Sequence, residues 1–229
     1  MKIALCYPSH RQTESGFTLS LARLAIATAL AGHELEVFNQ SSSNLGAARS
    51  RLWGDALAWG ADYMLCLDAD HTFPPDALIR LLRHDVPVVA ANYMRRGQAI
   101  QPVAAMADGA PVWTTSEKAR GGELEEVGYL GLGFCLIQLR TVDNALRELA
   151  KREGKSSYMP LFAFGYTDDA RDVGEEVFFF SNLASAGIKP LVDHALSWEV
   201  GHIGEFVMTP AVAEQQRSPA STTRIRLRP

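Results

Sequence analysis

Apolar positions in the first ninety residues follow two alternating rhythms. Ile3 to Tyr7 is a short apolar run closed by Pro8, and Phe17, Leu21, Leu24, Ala25 and Ala29 then recur at helical spacing until Gly32. Leu35 to Phe38 predicts a second strand, the Ser41-Ser42-Ser43-Asn44 cluster a loop, and Ala47 to Trp59 a helix closed by Gly60. Tyr63 to Leu67 is nearly all apolar, as expected of a central strand covered on both faces, and it runs into Asp68-Ala69-Asp70. Pro74-Pro75-Asp76 opens a helix to about Arg83, since proline in a first turn removes only an amide that has no helical partner. Val86 to Ala91 is the next strand. The order β-α-β-α-β-α-β predicts an α/β fold with a doubly wound parallel sheet.

The second part is less regular. Gln101 to Ala105, Val112-Trp113, Glu123 to Val127 and Phe134 to Leu139 predict shorter strands separated by glycine-rich turns. Helices over Val142 to Arg152 and Val173 to Ala186 follow, then a strand from Lys189 to Val192 and the segment Gly201-His202-Ile203-Gly204. A mixed sheet or a subdomain is expected here. From Met208 the chain turns polar and basic, with Arg217, Arg224, Arg226 and Arg228 against the single acid Glu214, which predicts a tail.

Neither a repeat nor a linker interrupts the 229 residues, a length sufficient for one large core. The proportions, 47% hydrophobic and 21% charged, exclude disorder and collagen, and a net charge of −4 excludes a globally basic nucleic-acid binder. No run approaches the roughly 20 apolar residues of a spanning helix, and the start is too short in apolar residues for a signal peptide, so a cytoplasmic protein is expected. Cys6, Cys66 and Cys135 each sit inside an apolar run without metal-ligand spacing, which favours buried thiols over a disulfide or a zinc site. Arginine greatly outnumbers lysine, which fits either phosphate recognition or a coding bias.

Candidate chemistry begins at Asp68 and Asp70, which fall at the carboxyl end of a sheet strand, where open α/β sheets bind ligands. Two carboxylates there either hold a hard divalent cation or serve as caps and turn residues. His202, flanked by glycines, is either a further metal ligand or a hydrogen-bonded structural histidine, and His71 fills the turn after the acids. Asp172 and Glu175 have capping-box spacing. Glu176 shares a helical stripe with Phe179, Phe180 and Leu183, so it is either a base in an apolar setting or a first-turn acid facing the helix dipole. Arg49, one turn before Trp53, either reaches a phosphate or is solvated like Arg51. Gly131 and Gly133 precede a strand rather than a helix, which argues against a dinucleotide fingerprint and for close backbone approach to a sugar or acceptor.

The order of these pieces from Lys2 to about Ile203 resembles the glycosyltransferase A-type fold, in particular the small family 2-like glycosyltransferases of bacteria and their phages. The elements are Tyr7-Pro8-Ser9, the Ala48-Arg49-Ser50-Arg51 helix start, Leu65-Cys66-Leu67-Asp68-Ala69-Asp70 with Phe73-Pro74-Pro75, and Val88 to Tyr93. Gly131 to Phe134, Gly174-Glu175-Glu176-Val177-Phe178-Phe179 and Gly201-His202-Ile203-Gly204 complete them. The resemblance implies one Rossmann-like catalytic domain over residues 1–207, with a nucleotide-binding half over 1–95, an acceptor-side half over 96–207, and a basic tail over 208–229.

It further implies that Tyr7, Pro8, Ser9 and Arg49 contact the nucleotide, and Asp68 the ribose or the metal. Asp70 and His202 would hold the Mn2+ or Mg2+ that bridges a diphosphate, and Tyr93, Gly131 and Gly133 would border donor and acceptor. Glu176 falls where inverting members carry the second acid of a Glu-Asp pair, the general base, although here the pair is Glu175-Glu176. The implied reaction is metal-assisted transfer from a nucleoside-diphosphate sugar, UDP-sugar favoured, to a hydroxyl of a glycan, lipid, protein or hydroxymethylated DNA base, with the basic tail as a contact for DNA.

Three rivals use the same residues. Asp68-Ala69-Asp70-His71-Thr72 also reads as the D-x-D-x-T of a haloacid-dehalogenase-like phosphatase, with Lys155 and Asp168-Asp169 following in order. About sixty residues precede it, however, where that motif belongs on a first strand. A nucleotidyltransferase would need a glycine-rich basic loop after the first strand, which Tyr7 to Thr13 does not supply. A non-catalytic nucleotide-sugar-binding module is the third.

Overall fold

The computed structural model describes residues 1–10, 12–96, 100–155, 161–166, 172–204 and 207–217. Strands β1 (Lys2–Ser9), β2 (Glu34–Ser41) and β3 (Tyr63–Leu67) alternate with helices α1 (Ser15–Leu30) and α2 (Leu45–Trp59). A short strand β4 (His71–Thr72), helix α3 (Ala77–Leu82), strand β5 (Val88–Ala90) and helix α4 (Ser116–Gly121) follow, then β6 (Leu124–Glu126), β7 (Phe134–Gln138) and α5 (Leu139–Arg152). The chain continues through β8 (Gly165–Tyr166), β9 (Asp172–Val173), α6 (Glu175–Ser185), β10 (Leu191–Asp193), α7 (His194–Ser197), β11 (Gly201–Ile203), β12 (Val207–Met208) and α8 (Pro210–Arg217).

Seven strands form one sheet in the order β2-β1-β3-β7-β5-β10-β6. The pairings β1 with β2, β1 with β3 and β5 with β10 are parallel, whereas β7 runs antiparallel to both its neighbours and β6 antiparallel to β10. Five strands therefore point one way, and the sheet is mixed, as the less regular second part led one to expect, rather than parallel throughout as the first ninety residues alone suggest. Periodicity identifies β7 as a strand but carries no information on its neighbours, and it enters between β3 and β5.

Alternation along the central strands fills two cores. Ala4, Cys6, Met64, Cys66, Cys135 and Ile137 face α2, α5 and α6 through Leu52, Trp53, Val142, Leu146, Phe179 and Leu183. Ile3, Leu5, Leu65, Leu67, Phe134 and Leu136 face α1, α3 and α7 through Phe17, Leu24, Leu78, Leu81 and Leu196. Each strand is thus covered on both sides, which is why its sequence reads as a continuous apolar run.

Several boundaries differ from expectation. β1 runs through Pro8 because its pairing with β3 ends at Cys6, so the missing amide of Pro8 lies beyond the shared ladder. Gln101 to Ala105 and Val112-Trp113 make only isolated bridges, Met94 with Pro102 and Ala105 with Pro111 and Tyr129, since prolines cannot donate to a ladder. The N-cap of helix α6 is Gly174, so Glu175 stands at the first helical position rather than the third that a capping box needs. Part of the expected tail is folded: Glu214 of α8 accepts from the amide of Ser116 at 3.1 Å and the Arg217 guanidinium sits 3.7 Å above the Trp113 ring. Arg224, Arg226 and Arg228 lie outside the described residues. Among the described residues no helix is long and apolar enough to cross a membrane.

Candidate functional site

The carboxyl ends of β1, β2 and β3 open into a cleft of about 530 Å3. Pro8, Ser9 and His10 line it from β1, Ser42 and Ser43 from the end of β2, and Asp68, Ala69 and Asp70 from the end of β3, with Gln12, Thr13, Glu14 and Arg96 completing the wall. This is where a crossover sheet leaves backbone and short polar side chains free for a ligand. Tyr7 instead packs edge-on against Phe17, ring centres 5.1 Å apart.

Two charged clusters meet at this rim. The first surrounds Arg49, which sits on the apolar stripe of α2 with Leu52, Trp53 and Ala56 and is only 3% exposed. Its Nη2 donates to Asp68 at 2.8 Å, and its Nη1 to Glu175 at 2.7 Å and Glu176 at 3.1 Å. Burial alone would weaken the charge of Arg49, but the carboxylates of Asp68, Glu176 and Glu175 outweigh it and hold the guanidinium protonated. Burial raises the Glu175 carboxyl above its ordinary range, with Arg49 opposing. The guanidinium is therefore committed to three acids rather than extended to a phosphate.

Glu176 does not lie in an apolar setting: its Oε1 accepts from Arg49 and from the Leu132 amide at 2.9 Å. Glu175 is the buried member of the pair, and Glu176, 31% exposed, is the one that meets solvent.

The second cluster is Asp70, His71 and His202, whose candidate ligand atoms all lie within 4.8 Å of one another. β4 pairs antiparallel with β11, placing His71 directly opposite His202. Gly201 permits that approach, since a Cβ there would meet Val207 Cγ1 at 2.3 Å and Thr72 Oγ1 at 2.7 Å. His202 Nε2 is 3.5 Å from Asp70 Oδ2, and its Nδ1 bonds to the Met94 carbonyl at 2.8 Å. Arg96 Nη2 lies 2.7 Å from the same Oδ2. Burial would push the Asp70 carboxyl up, but His202 and His71 more than offset it and hold it well below the usual carboxylate range.

These donors suit a divalent cation. Among the described residues, Asp70 Oδ1 and both ring nitrogens of His71 are buried without a hydrogen-bond partner, His71 Nδ1 lying 3.1 Å from Oδ1 but out of line for a bond. Asp68 is not part of this cluster, its Oδ1 being held by Arg49.

Tyr93, Gly131 and Gly133 do approach closely, but mainly one another. A Cβ on Gly131 would lie 2.2 Å from Tyr93 Oη, and one on Gly133 2.7 Å from His71 Cε1 and from Tyr93 Oη. The Gly133 amide donates to Tyr93 Oη at 3.0 Å, and the Tyr93 ring meets His71 edge-on. The glycines therefore make room for a buried tyrosine that props His71, not for a sugar. The sequence pattern did not single out His71 or Arg96 as site residues; the signal for His71 was its place next to Asp70, and nothing in the sequence pointed to Arg96.

The phosphatase motif has lost its parts in space. Asp68 is tied to Arg49, Lys155 pairs with Glu153 at 2.6 Å, and the motif follows the third strand. Asp168 and Asp169 lie outside the described residues.

No family model and no curated protein matches the sequence. Among solved structures, the chain is similar to A197 from STIV, with a TM-score of 0.54, 17% identity, and coverage of 92% of this chain and 91% of that one. A second, weaker likeness is to TarS 1-349 of S. aureus, with a TM-score of 0.40, 13% identity, and coverage of 84% of this chain and 57% of that one. The first likeness spans nearly both chains and shows a shared fold, a single-domain, Rossmann-like mixed sheet flanked by helices.

Proposed function

We propose that the chain is a metal-dependent glycosyltransferase that moves a sugar from a nucleoside-diphosphate sugar, UDP-sugar favoured, to an acceptor hydroxyl. The observation that carries this reading is the meeting of Asp70 and His202 at a polar cleft on the carboxyl ends of β1 to β3, within a glycosyltransferase A-type sheet. Asp70 and His202 would hold Mn2+ or Mg2+, which when bound neutralises charge on a leaving diphosphate. Ser9, Thr13, Ser42 and Ser43 offer hydroxyls, and Gln12 an amide, for ribose and phosphate oxygens.

Arg49 orients two acids at once, Asp68 at the cleft and Glu176 beside the Leu132 amide. With Oε1 of Glu176 fixed by two donors, its other carboxylate oxygen is the atom to take the proton of an acceptor hydroxyl. The acceptor is a hydroxyl of a saccharide, lipid, protein or hydroxymethylated base, and the transfer requires no further cofactor.

A thermal-shift panel of nucleotide sugars with and without Mn2+ tests the reading. At a hundredfold excess over Kd the native state gains about 2.7 kcal/mol, roughly 5–11 °C for a chain of this size. Asp70→Asn and His202→Ala should each abolish metal-dependent donor turnover while leaving far-UV circular dichroism unchanged. The proposal fails if no nucleotide sugar raises the melting temperature in either condition, or if those variants keep full turnover at saturating donor.

A further inference from the structure

We propose that His71 is a third ligand beside Asp70 and His202, and that the resulting set of two imidazoles and one carboxylate selects a first-row transition cation over magnesium. The inference rests on the metal-dependent reading above and names the class of cation that this site takes.

His71 has no exposed surface, yet among the described residues neither of its ring nitrogens has an aligned hydrogen-bond partner. Asp70 Oδ1 faces Nδ1 at 3.1 Å without bonding it, and Nε2, on the other edge of the ring, has no partner there at all. Native interiors rarely leave such atoms without something that binds them. The separation of 3.1 Å from His71 Nδ1 to Asp70 Oδ1 matches an edge of a coordination shell, and that of 3.5 Å from His202 Nε2 to Asp70 Oδ2 is slightly longer. Ligands at about 2.1 Å from a cation lie about 3.0–3.4 Å from one another in octahedral or tetrahedral sites.

His202 is already set for the role. Its Nδ1 donates to the Met94 carbonyl, which leaves the lone pair on Nε2 toward Asp70, the arrangement in which an outer carbonyl fixes the tautomer of a ligating histidine. His71 cannot turn away: it is stacked on His202 with ring centres 4.5 Å apart, met by Tyr93 at 4.2 Å, and closed off by Gly133. Binding one ion therefore requires the His202 ring, which retains some exposure, to tilt off a fixed His71 about its terminal side-chain torsion. Asp68 does not supply the extra donor: Arg49 holds its Oδ1, and it lies outside the group of ligand atoms within 4.8 Å of one another. The one cation now on Asp70 among the described residues besides the imidazoles is Arg96, which is 59% exposed and free to withdraw into solvent.

The donor types decide the selectivity. Magnesium demands an oxygen shell and dehydrates reluctantly, whereas first-row divalent ions accept imidazole nitrogen, Mn2+ the least strongly of them, so a preference for Mn2+ over Mg2+ is the conservative form of the test. The test uses the full chain, dialysed against a chelator and titrated with Mn2+ or Mg2+ alone, without nucleotide. Mn2+ should bind at least about tenfold more tightly than Mg2+, and pulsed paramagnetic resonance of the Mn2+ complex should detect two imidazole nitrogens. His71→Phe keeps a ring against His202 and Tyr93 and removes both nitrogens. It should lower Mn2+ affinity by about tenfold or more, since even outer partners of ligands are worth about 10–100-fold, and reduce the coupled nitrogens to one.

A folded His71→Phe chain that binds Mn2+ as the parent does overturns the inference. So does a single nitrogen coupling, or none, in the parent protein, a count that decides even if the variant fails to fold. If nucleotide sugars bind while Mn2+ does not, this inference falls, with Arg96 as the site's cation, and the transferase reading survives on donor binding. If Mn2+ binds through two imidazoles and no nucleotide sugar does, the inference stands and the transferase reading falls.

Discussion

Replacing Arg49 by methionine should destabilise the native state by about 3–5 kcal/mol at neutral pH, the range for removing one partner of a buried ion pair. The site contains three acids, but they do not count equally. Asp68 and Glu176 are 26% and 31% exposed, so water can take up their charge once the guanidinium is gone. Glu175, 6% exposed, cannot be resolvated in place, and its uncompensated carboxylate sets the cost. For a chain of this length the loss corresponds to roughly 6–20 °C in melting temperature.

The pH dependence separates charge from packing. Burial raises Glu175 above its ordinary value of 4.5 and Arg49 pulls it back, so the variant's Glu175 is raised further. Between the unfolded value and the raised native one, the folded chain holds more protons than the unfolded chain, and stability falls as pH rises through that window. The fall is steeper in Arg49→Met, so its deficit should widen from pH 4.5 to pH 7. Urea titrations followed by circular dichroism at several pH values measure it. The double variant Arg49→Met/Glu175→Gln should recover part of the loss at pH 7. A deficit that is constant across pH, or below about 1 kcal/mol, would refute the view that Arg49 is held by charge.

Three further outcomes follow from the neighbouring packing. Tyr93→Phe leaves the Gly133 amide without its acceptor and should cost about 1–3 kcal/mol in the same urea titration; a change within error would mean that the bond is not made in solution. Gly131→Ala drives a methyl into the Tyr93 hydroxyl and should cost about 1–3 kcal/mol, with a normal melting curve counting against the close packing. Burial pushes the Cys66 thiol up to about 12 and raises Cys6 and Cys135 as well, so an aromatic disulfide reagent should label none of the three until the chain unfolds. Rapid labelling of the folded protein would contradict their burial.

The sheet was legible where one face or both faces impose a period. Ile3 to Tyr7, Tyr63 to Leu67 and Phe134 to Ile137 are strands because every residue must meet one of two cores, and helices α1 and α2 follow from their spacing and their stop glycines, Gly32 and Gly60. Strand order was not legible, because β7 makes its neighbours through long-range pairing that leaves no local trace. The short strands β4 and β11 leave no periodic signal for a related reason: two or three residues are too few to show one. They nevertheless set the geometry of the site, for it is their pairing that puts His202 opposite His71.

Arg49 shows how one position departs from an otherwise consistent pattern. Its stripe partners Leu52, Trp53 and Ala56 mark an inward face of α2, so an arginine on that stripe conflicts with the local rule that charges face water. The conflict is resolved only by acids arriving from the end of β3 and the start of α6, more than a hundred residues apart in the chain in the case of Glu175. A buried arginine with no local counter-charge demands such partners from elsewhere in the chain, because an unpaired guanidinium at 3% exposure would unfold the helix that carries it. His71 presents the same conflict, for within the described residues its nitrogens are buried without an aligned partner, and Asp70 at 3.1 Å is the nearest answer to it.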